Sequence, residues 1–399
     1  MIPKGWKRKP LANIATIQTG IAKGSKRLND PVELPYLRVA NVQDGYLDLS
    51  VIKKIELDKS QVERYRLHVG DVLLTEGGDF DKLGRGAVWK GEIENCVHQN
   101  HIFVARPNPE ILLPEFLSLL TGSSYGKAYF LSCSKQSTNL ASINSSQLKD
   151  FPTLFPPLPE QIAIAKLLFN WDETIEKTER LIEAKEKQKN AFMQSLLTGN
   201  QRLKGFQEPW MEFHLGELFK ERSERANDHL PLLSITREEG VIPRSEDRKD
   251  TSSEDKSNYL RICPGDIGYN TMRMWQGVSA LSSLEGIVSP AYTICTPRKG
   301  VDGEFMAYLF KLPRVINLFY RYSQGLTSDT WNLKYHHFRQ IRVTIPEIKE
   351  QKAIARVLKG CDEEIDLLKK QADALRRQKR GLMQKLLTGA WRVNEGVVS

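Results

Sequence analysis

The chain has 399 residues, 40% hydrophobic and 27% charged, a soluble globular composition long enough for two or more separately cored domains. Its apolar runs fall far short of a bilayer span and no apolar signal core follows the basic start "MIPKGWKRKP", so a cytoplasmic protein with no membrane partner is expected. The formal net charge of +9 tilts mildly toward an anionic partner, while five cysteines (Cys96, Cys133, Cys263, Cys295, Cys361) without CxxC spacing argue against a zinc site or a disulfide framework.

In chain order, the first half carries "LPYLRVANVQDG" (34–45), "RLHVGDVLLT" (66–75), the alternating strand "HIFVARP" (101–107) and the short-helix pattern "PEFLSLL" (114–120). Gly-Asp at 70–71 marks a turn into an apolar strand. "PPLPEQIAIAKLL" (156–168) then opens a long helix, with prolines ending the irregular segment before it and Gly199 stopping it. The second half repeats the series more faintly as "LPLLSITREEG" (230–240), "LRICPGDIGYN" (260–270), "AYTICTP" (291–297) and "GEFMAYLF" (303–310), then "IPEIKEQKAIARVL" (345–358) and a helix to Gly389. Short strands, Gly-rich turns and few helices predict two compact α+β domains, each followed by a long helix.

The helices are far more alike than the domains. Residues 160–199 and 350–389 align without a gap, and 18 of the 40 pairs are identical. This is an internal duplication. Within the first copy Leu168, Trp171, Ile175, Thr178, Ile182, Lys185, Lys189, Phe192 and Leu196 step by three and four. The second gives Leu358, Cys361, Ile365, Leu368, Ala372, Leu375, Lys379, Leu382 and Leu386 at the same places. Such a heptad seam predicts two helices that pair as a coiled coil, and the lysines in it predict partial solvent contact; two separate amphipathic core helices are the alternative. "DEEID" (362–366) is read as acids complementing the dipole at a helix start.

Chemistry of the chain's own is not legible. No Asn/Asp-Pro-Pro-aromatic loop is present, and "GSSYGKA" (122–128) lacks the spacing and the Ser/Thr of a phosphate-binding loop. "EGGDFDKLGRGAVW" (76–89) reads as a hairpin loop or a phosphate cradle, and His98, His101, His336 and His337 have no companions at metal-ligand spacing. No catalytic residue, metal ligand or cofactor is assigned to the chain.

The "PPLPEQIAIAKLL" and "IPEIKEQKAIARVL" openings, the endings "MQSLLTG" and "MQKLLTG", and the turns "GDVLLTEGG" and "GDIGYNTMR" make the whole chain resemble the specificity (S) subunits of type I restriction–modification systems. "WKRKPLANIATIQTG" and "WMEFHLGELF" fit the same resemblance. It implies a non-catalytic protein with target-recognition domains at 1–155 and 206–345, spacer helices at 156–205 and 346–399, and a pseudo-twofold arrangement in which the helices form an antiparallel coiled coil. It further implies double-stranded DNA as ligand, two methyltransferase (M) subunits and restriction (R) subunits as partners, with S-adenosylmethionine, ATP and Mg²⁺ held by those partners. The helix seam then comprises Leu168, Trp171, Ile175, Ile182, Phe192, Leu196, Leu358, Ile365, Leu368, Leu375, Leu382 and Leu386, and the non-seam residues Leu181, Met193, Leu197, Met383 and Leu387 are candidates for M-subunit docking, with a core role within the recognition domains as the equal alternative. About 27 helical residues at about 1.5 Å each span about 40 Å, near the 34–36 Å helical turn of DNA that sets half-site spacing.

Base edges are told apart by Arg, Lys, Asn, Gln and hydroxyl side chains. Segments rich in these recur at matched places: "KLGRG" (82–86) and "SKQSTNLASINSSQ" (134–147), then "NTMRMWQG" (270–277) and "YSQGLTSDTWNLKYHH" (322–337). The candidates are Lys82, Arg85, Lys135, Gln136, Asn139, Arg273, Trp275, Gln324, Ser328 and Asn332, with solvated loop positions as the competing reading for each alone. Lys4, Lys7, Arg8 and Lys9 form a basic start that suits phosphate or plain solvent. The alternative to a DNA reader is a duplicated coiled-coil adaptor that binds other partners.

Overall fold

The repeated phrases form two helices of 39 residues each, Leu158–Leu196 and Ile348–Leu386. Gly199 and Gly389 end them in left-handed conformation, with φ of +74° and +70°, where a β-carbon is strained. The computed structural model describes residues 2–22, 28–78, 80, 83–136, 141–244, 255–327 and 330–393, with Gln136 described by its backbone alone. None of the helices among them is long and apolar enough to cross a membrane.

Two compact units divide the chain: Met1–Glu179 with Lys370–Ser399, and Arg180–Lys369. Each long helix therefore gives its first part to one unit and its last part to the other. In the first unit an antiparallel sheet runs Ala15–Thr19, Ile102–Pro107, Val72–Thr75, Gly86–Val88. Helices Pro114–Gly122 and Ser124–Cys133 cover it, around a core containing Phe116, Leu120, Phe130 and Phe151. A second sheet pairs Pro31–Leu37 with Lys53–Asp58 and Val97–His98.

The second unit has the corresponding sheet: Phe219–Arg222, Tyr292–Pro297, Ile267–Asn270, Ser279–Leu281, again antiparallel. Its helices Gly303–Leu309 and Pro313–Tyr322 pack over Phe219, Tyr269, Phe305, Phe310, Phe319 and Phe338. The Gly-Asp turns gain a tertiary role. Asp71, fully buried, accepts two bonds from Arg106 (2.7 and 2.9 Å) and one from the His68 amide (2.8 Å). Asp266 does the same with Arg222 (2.7 and 3.3 Å), the Cys263 amide (2.8 Å) and the Thr296 hydroxyl (2.7 Å). The arginine comes from different strands in the two units, so the carboxylate's requirement for a cation is kept while its source has moved.

The Glu-Gln pair of each phrase ties helix to domain. Gln161, fully buried, accepts from the Leu113 amide (2.8 Å) and donates to the carbonyls of Ile111 (2.9 Å) and Pro156 (2.8 Å). Gln351 repeats this with the Asp302 amide (2.9 Å), Gly300 (3.3 Å) and Pro346 (2.8 Å). Glu160 takes a two-pronged bond from Arg392 (2.6 and 2.7 Å), and Glu350 takes one from Arg202 (2.6 and 2.7 Å) plus the Trp210 indole N–H (3.2 Å). Each arginine follows an "LLTG" ending, so the start of one long helix is fastened to the segment after the other.

None of the nine seam positions on either helix is fully exposed, and Leu168, Thr178, Leu196, Leu358, Ile365, Ala372 and Leu386 are buried. The seam lysines meet acids instead of open solvent. In the first unit Lys379 pairs with Asp172 (2.5 Å) and Arg376 with Glu179. In the second, Lys189 pairs with Asp362, Lys185 with Glu364 (2.7 Å) and Lys369 with Glu186 (2.7 Å). From Asp172–Lys379 to Glu179–Arg376 in the first unit, and from Lys185–Glu364 to Lys189–Asp362 in the second, one number rises as the other falls, so within each unit the two segments run antiparallel. "DEEID" is thus interior to a helix that begins at Ile348, not at its start, and its acids Asp362 and Glu364 face lysines.

Four of the docking candidates are corrected. Met193 and Leu197 belong to the second unit's core, Leu387 belongs to the first unit's core, and Met383 packs against it. Only Leu181 stays open, at 44% exposure. A surface already covered by its own domain is not offered to a partner.

Gln161→Leu leaves the Leu113 amide and two carbonyls without their partner, an expected loss of about 2–4 kcal/mol in the unfolding of the first unit. The exposed Lys187→Leu is expected to cost less than about 0.5 kcal/mol, and urea unfolding compares them. His98 is buried, donates from Nδ1 to the Ile102 carbonyl (3.0 Å), and is pushed by burial down to about 4. Between the ordinary value of about 6.5 and about 4, the unfolded chain binds a proton that the folded chain refuses. Stability from this group is complete above that window and lost as pH falls through it. Going from pH 7 to pH 5 should lower unfolding free energy by about 2 kcal/mol more in the native chain than in His98→Gln.

Candidate nucleic-acid interface

In the second unit the two polar segments singled out in the sequence come together. The strand Ile267–Asn270, held by Asp266, runs into a turn whose short helix is Met274–Gln276. The Leu333 amide donates to the Thr271 carbonyl (2.8 Å), and Gln324 and Asn332 exchange backbone bonds of 3.0 and 2.8 Å. Trp331 packs edge-on against both Trp275 (5.0 Å between centroids) and Tyr320 (4.8 Å), bracing one segment on the other. Arg273 and Gln324 are exposed, while Asn332 and Trp275 are half-buried. The Trp275 indole N–H is spent on the Met272 carbonyl (3.0 Å), so its ring edge rather than a donor is what it presents. Leu326, beside the Gln324–Asn332 pair, is 100% exposed.

Adjoining these residues is a cavity of about 640 Å³ lined by Arg225, Lys334, His336 and Arg339, with Met272 and Asn332 at its edge. Arg225, Lys334 and Arg339 are exposed cations suited to phosphate oxygens. Glu221, also on its wall, has its carboxyl raised by burial, with His336 acting in the opposite sense. Arg225 and Arg339 were missed in the sequence because both lie outside the polar segments, Arg339 just past the end of one at His337, and only folding brings them to one cavity. Trp331 and Tyr320 were missed too, as nothing in their spacing tells a brace from a core aromatic.

In the first unit a strand ladder joins the 134–147 segment to the start of the glycine loop at 76–89, ahead of the 82–86 segment. Gly77–Gly78 pairs with Ala141–Ser142, which pairs with Lys135–Gln136. The Ile143 amide donates to the Glu76 carbonyl at 2.9 Å. A β-carbon on Gly77 would sit 2.4 Å from the Ala141 carbonyl oxygen, so only glycine permits this approach. Lys135 is exposed; Arg85 is half-buried, and its Nε is enclosed without a hydrogen-bond partner among the described residues. Lys82, Asn139 and Ser328 lie outside the described residues, as does the Gln136 side chain.

The exposed groups of these loops are guanidinium, ammonium and amide donors, the set that addresses base edges and phosphates. Among the described residues no group of three His, Cys, Asp or Glu side chains could hold a metal ion. Burial pushes the Cys96 thiol up to about 12, away from nucleophilic use. His101 bonds Glu76, and His336 stacks near His337 with centroids 4.0 Å apart.

Residues 3–186 match the family model of the type I restriction modification DNA specificity domain. A Methanocaldococcus jannaschii protein, named provisionally as the type I restriction enzyme MjaX specificity subunit, is 27% identical over 98% of this chain and 95% of its own. The type I restriction enzyme EcoKI specificity subunit of Escherichia coli is 28% identical over 41% of this chain and 37% of its own. In fold, the crystal structure of the HsdS subunit from Thermoanaerobacter tengcongensis superposes with a TM-score of 0.56 at 18% identity, covering 98% of both chains. The type I S subunit from M. genitalium does so with a TM-score of 0.53 at 14% identity over 96% of each. Residues 3–186 thus match the type I DNA specificity domain, and along its length the chain is similar to specificity subunits of type I restriction–modification systems and shares their fold.

Proposed function

We propose that this chain reads a bipartite, asymmetric site in double-stranded DNA, one half with each unit. The long helices pair as an antiparallel coiled coil and space the halves about ten to twelve base pairs apart, as the seam from Leu168 to Leu196 suits: at about 1.5 Å per residue it spans about 40 Å, a part of each 39-residue helix. Two M subunits dock on the pseudo-twofold scaffold, methylate adenine N6 with S-adenosylmethionine, and R subunits use ATP and Mg²⁺ for restriction. The observation that carries the reading is the meeting, in the second unit, of two polar segments far apart in sequence, on a sheet whose strand order the first unit repeats. Arg273, Gln324, Asn332, Arg85 and Lys135 are the base-reading candidates, and Arg225, Lys334 and Arg339 the phosphate contacts.

Methylation mapping of a host carrying the chain and its partner subunits tests this directly. One bipartite N6-methyladenine motif should vanish when the gene is removed; an unchanged methylome in a methylating host would refute the reading. Arg273→Ala should relax one position in a single half-site by about 5- to 100-fold. Lys334→Gln should weaken all sites alike and reduce the salt slope of binding by about one. A heptad inserted in both helices should lengthen the unread spacer, and an unaltered spacer would sink the ruler.

A further inference from the structure

We infer that Lys311 is a positioning residue for DNA reading by the second unit: its ammonium holds the turn that presents Arg273 and Trp275. The inference rests on the function proposed above. Lys311 lies between the helices Gly303–Leu309 and Pro313–Tyr322 and reaches back under the turn. Its Nζ donates to the Gly277 carbonyl (2.8 Å) and the Ser279 carbonyl (2.6 Å). Those carbonyls lie at the far end of the short helix Met274–Gln276, whose near end is Arg273.

The turn depends on that support. Gly277 closes it with φ of +80°, its amide donating to the Met274 carbonyl (2.8 Å), and the Val278 amide returns to the Arg273 carbonyl (3.3 Å). A β-carbon on Gly277 would sit 2.8 Å from the Ile316 side chain, so the closing residue is pressed onto the helix behind it. The Gly277 carbonyl also takes the Ser279 amide (3.0 Å), so the ammonium adds a second bond there and ties the end of the turn to the strand Ser279–Leu281. Among the described residues no carboxylate bonds Lys311, and burial, with Arg237 nearby, draws its ammonium down to about 8. A half-buried cation is costly unless its donors are met, and here two backbone carbonyls of the turn meet them.

The device is particular to one unit. Continuing the alignment of "PEFLSLL" with "GEFMAYLF", Gly122 stands in the first unit where Lys311 stands in the second. Loss of this support should therefore degrade one half-site and spare the other.

The test uses the full chain with its partner subunits in a methylating host, comparing Lys311→Met, Lys311→Arg and Arg273→Ala by methylation mapping. Lys311→Met should relax discrimination by about tenfold in the half-site that Arg273→Ala affects, leaving the other half and the spacer intact. Lys311→Arg, which still offers donors to both carbonyls, should restore it. Unchanged stringency in Lys311→Met overturns the inference. So does weaker methylation with both halves read as strictly as before, because general destabilisation produces that pattern. Should Lys311→Met give no methylation, Lys311→Gln is scored by the same two criteria. If Arg273→Ala also leaves the motif untouched, the assignment of this turn to DNA fails; if Arg273→Ala relaxes it and Lys311→Met does not, only Lys311 is wrongly assigned.

Discussion

Everything else in each unit is arranged around the buried Glu-Gln pair that opens its long helix. A buried carboxylate is tolerated only with a cation at bonding distance, and a buried amide only with its donors and acceptor met. Glu160 and Glu350 obtain Arg392 and Arg202; Gln161 and Gln351 each join one loop amide to two carbonyls. The helix start is thereby bonded to the loop before the short covering helix and to the chain that leaves the opposite long helix. Because these bonds bring together residues 148 or 232 positions apart, each unit needs segments from both halves of the chain.

What is held in common between the units is therefore chemistry rather than sequence. Asp71 and Asp266 anchor equivalent strands, yet their arginines come from different strands, and Thr296 fills part of the second set. The helices show the same freedom. Glu179 with Arg376 and Lys369 with Glu186 occupy the same repeat positions with the signs exchanged, and attraction survives at both crossings. Exposed pairs of this kind add little stability, but opposed signs do select which helix faces which.

The loops follow different rules again. In the first unit glycine at 77 lets two backbones pair closely, whereas in the second the segments lean on Trp331 and on the Lys311 ammonium. Recognition depends on where donors point, so two units with one sheet order and different loop supports present different surfaces. One sheet order thus carries loops that are held in place by different contacts in the two units.

Much of the frame was legible in the residues themselves. The gapless repeat, the three-and-four apolar steps and the glycine stops announce the long helices, since local periodicity and backbone freedom are properties of neighbouring residues. The alternating strands at 101–107 and 291–297 and the Gly-Asp turns were readable for the same reason. The use of Glu160, Gln161 and Arg392 was not: the phrase reads as a helix opening, while its partners lie far away in the chain. Nor could the seam show that Met193, Leu197 and Leu387 are covered by a domain rather than offered to a partner, because a helix pattern records which residues are apolar and not what buries them. Local order was thus written in the chain; which distant charge, carbonyl or core each side chain meets was decided only by the tertiary structure, since buried polar groups are satisfied in space and not along the sequence.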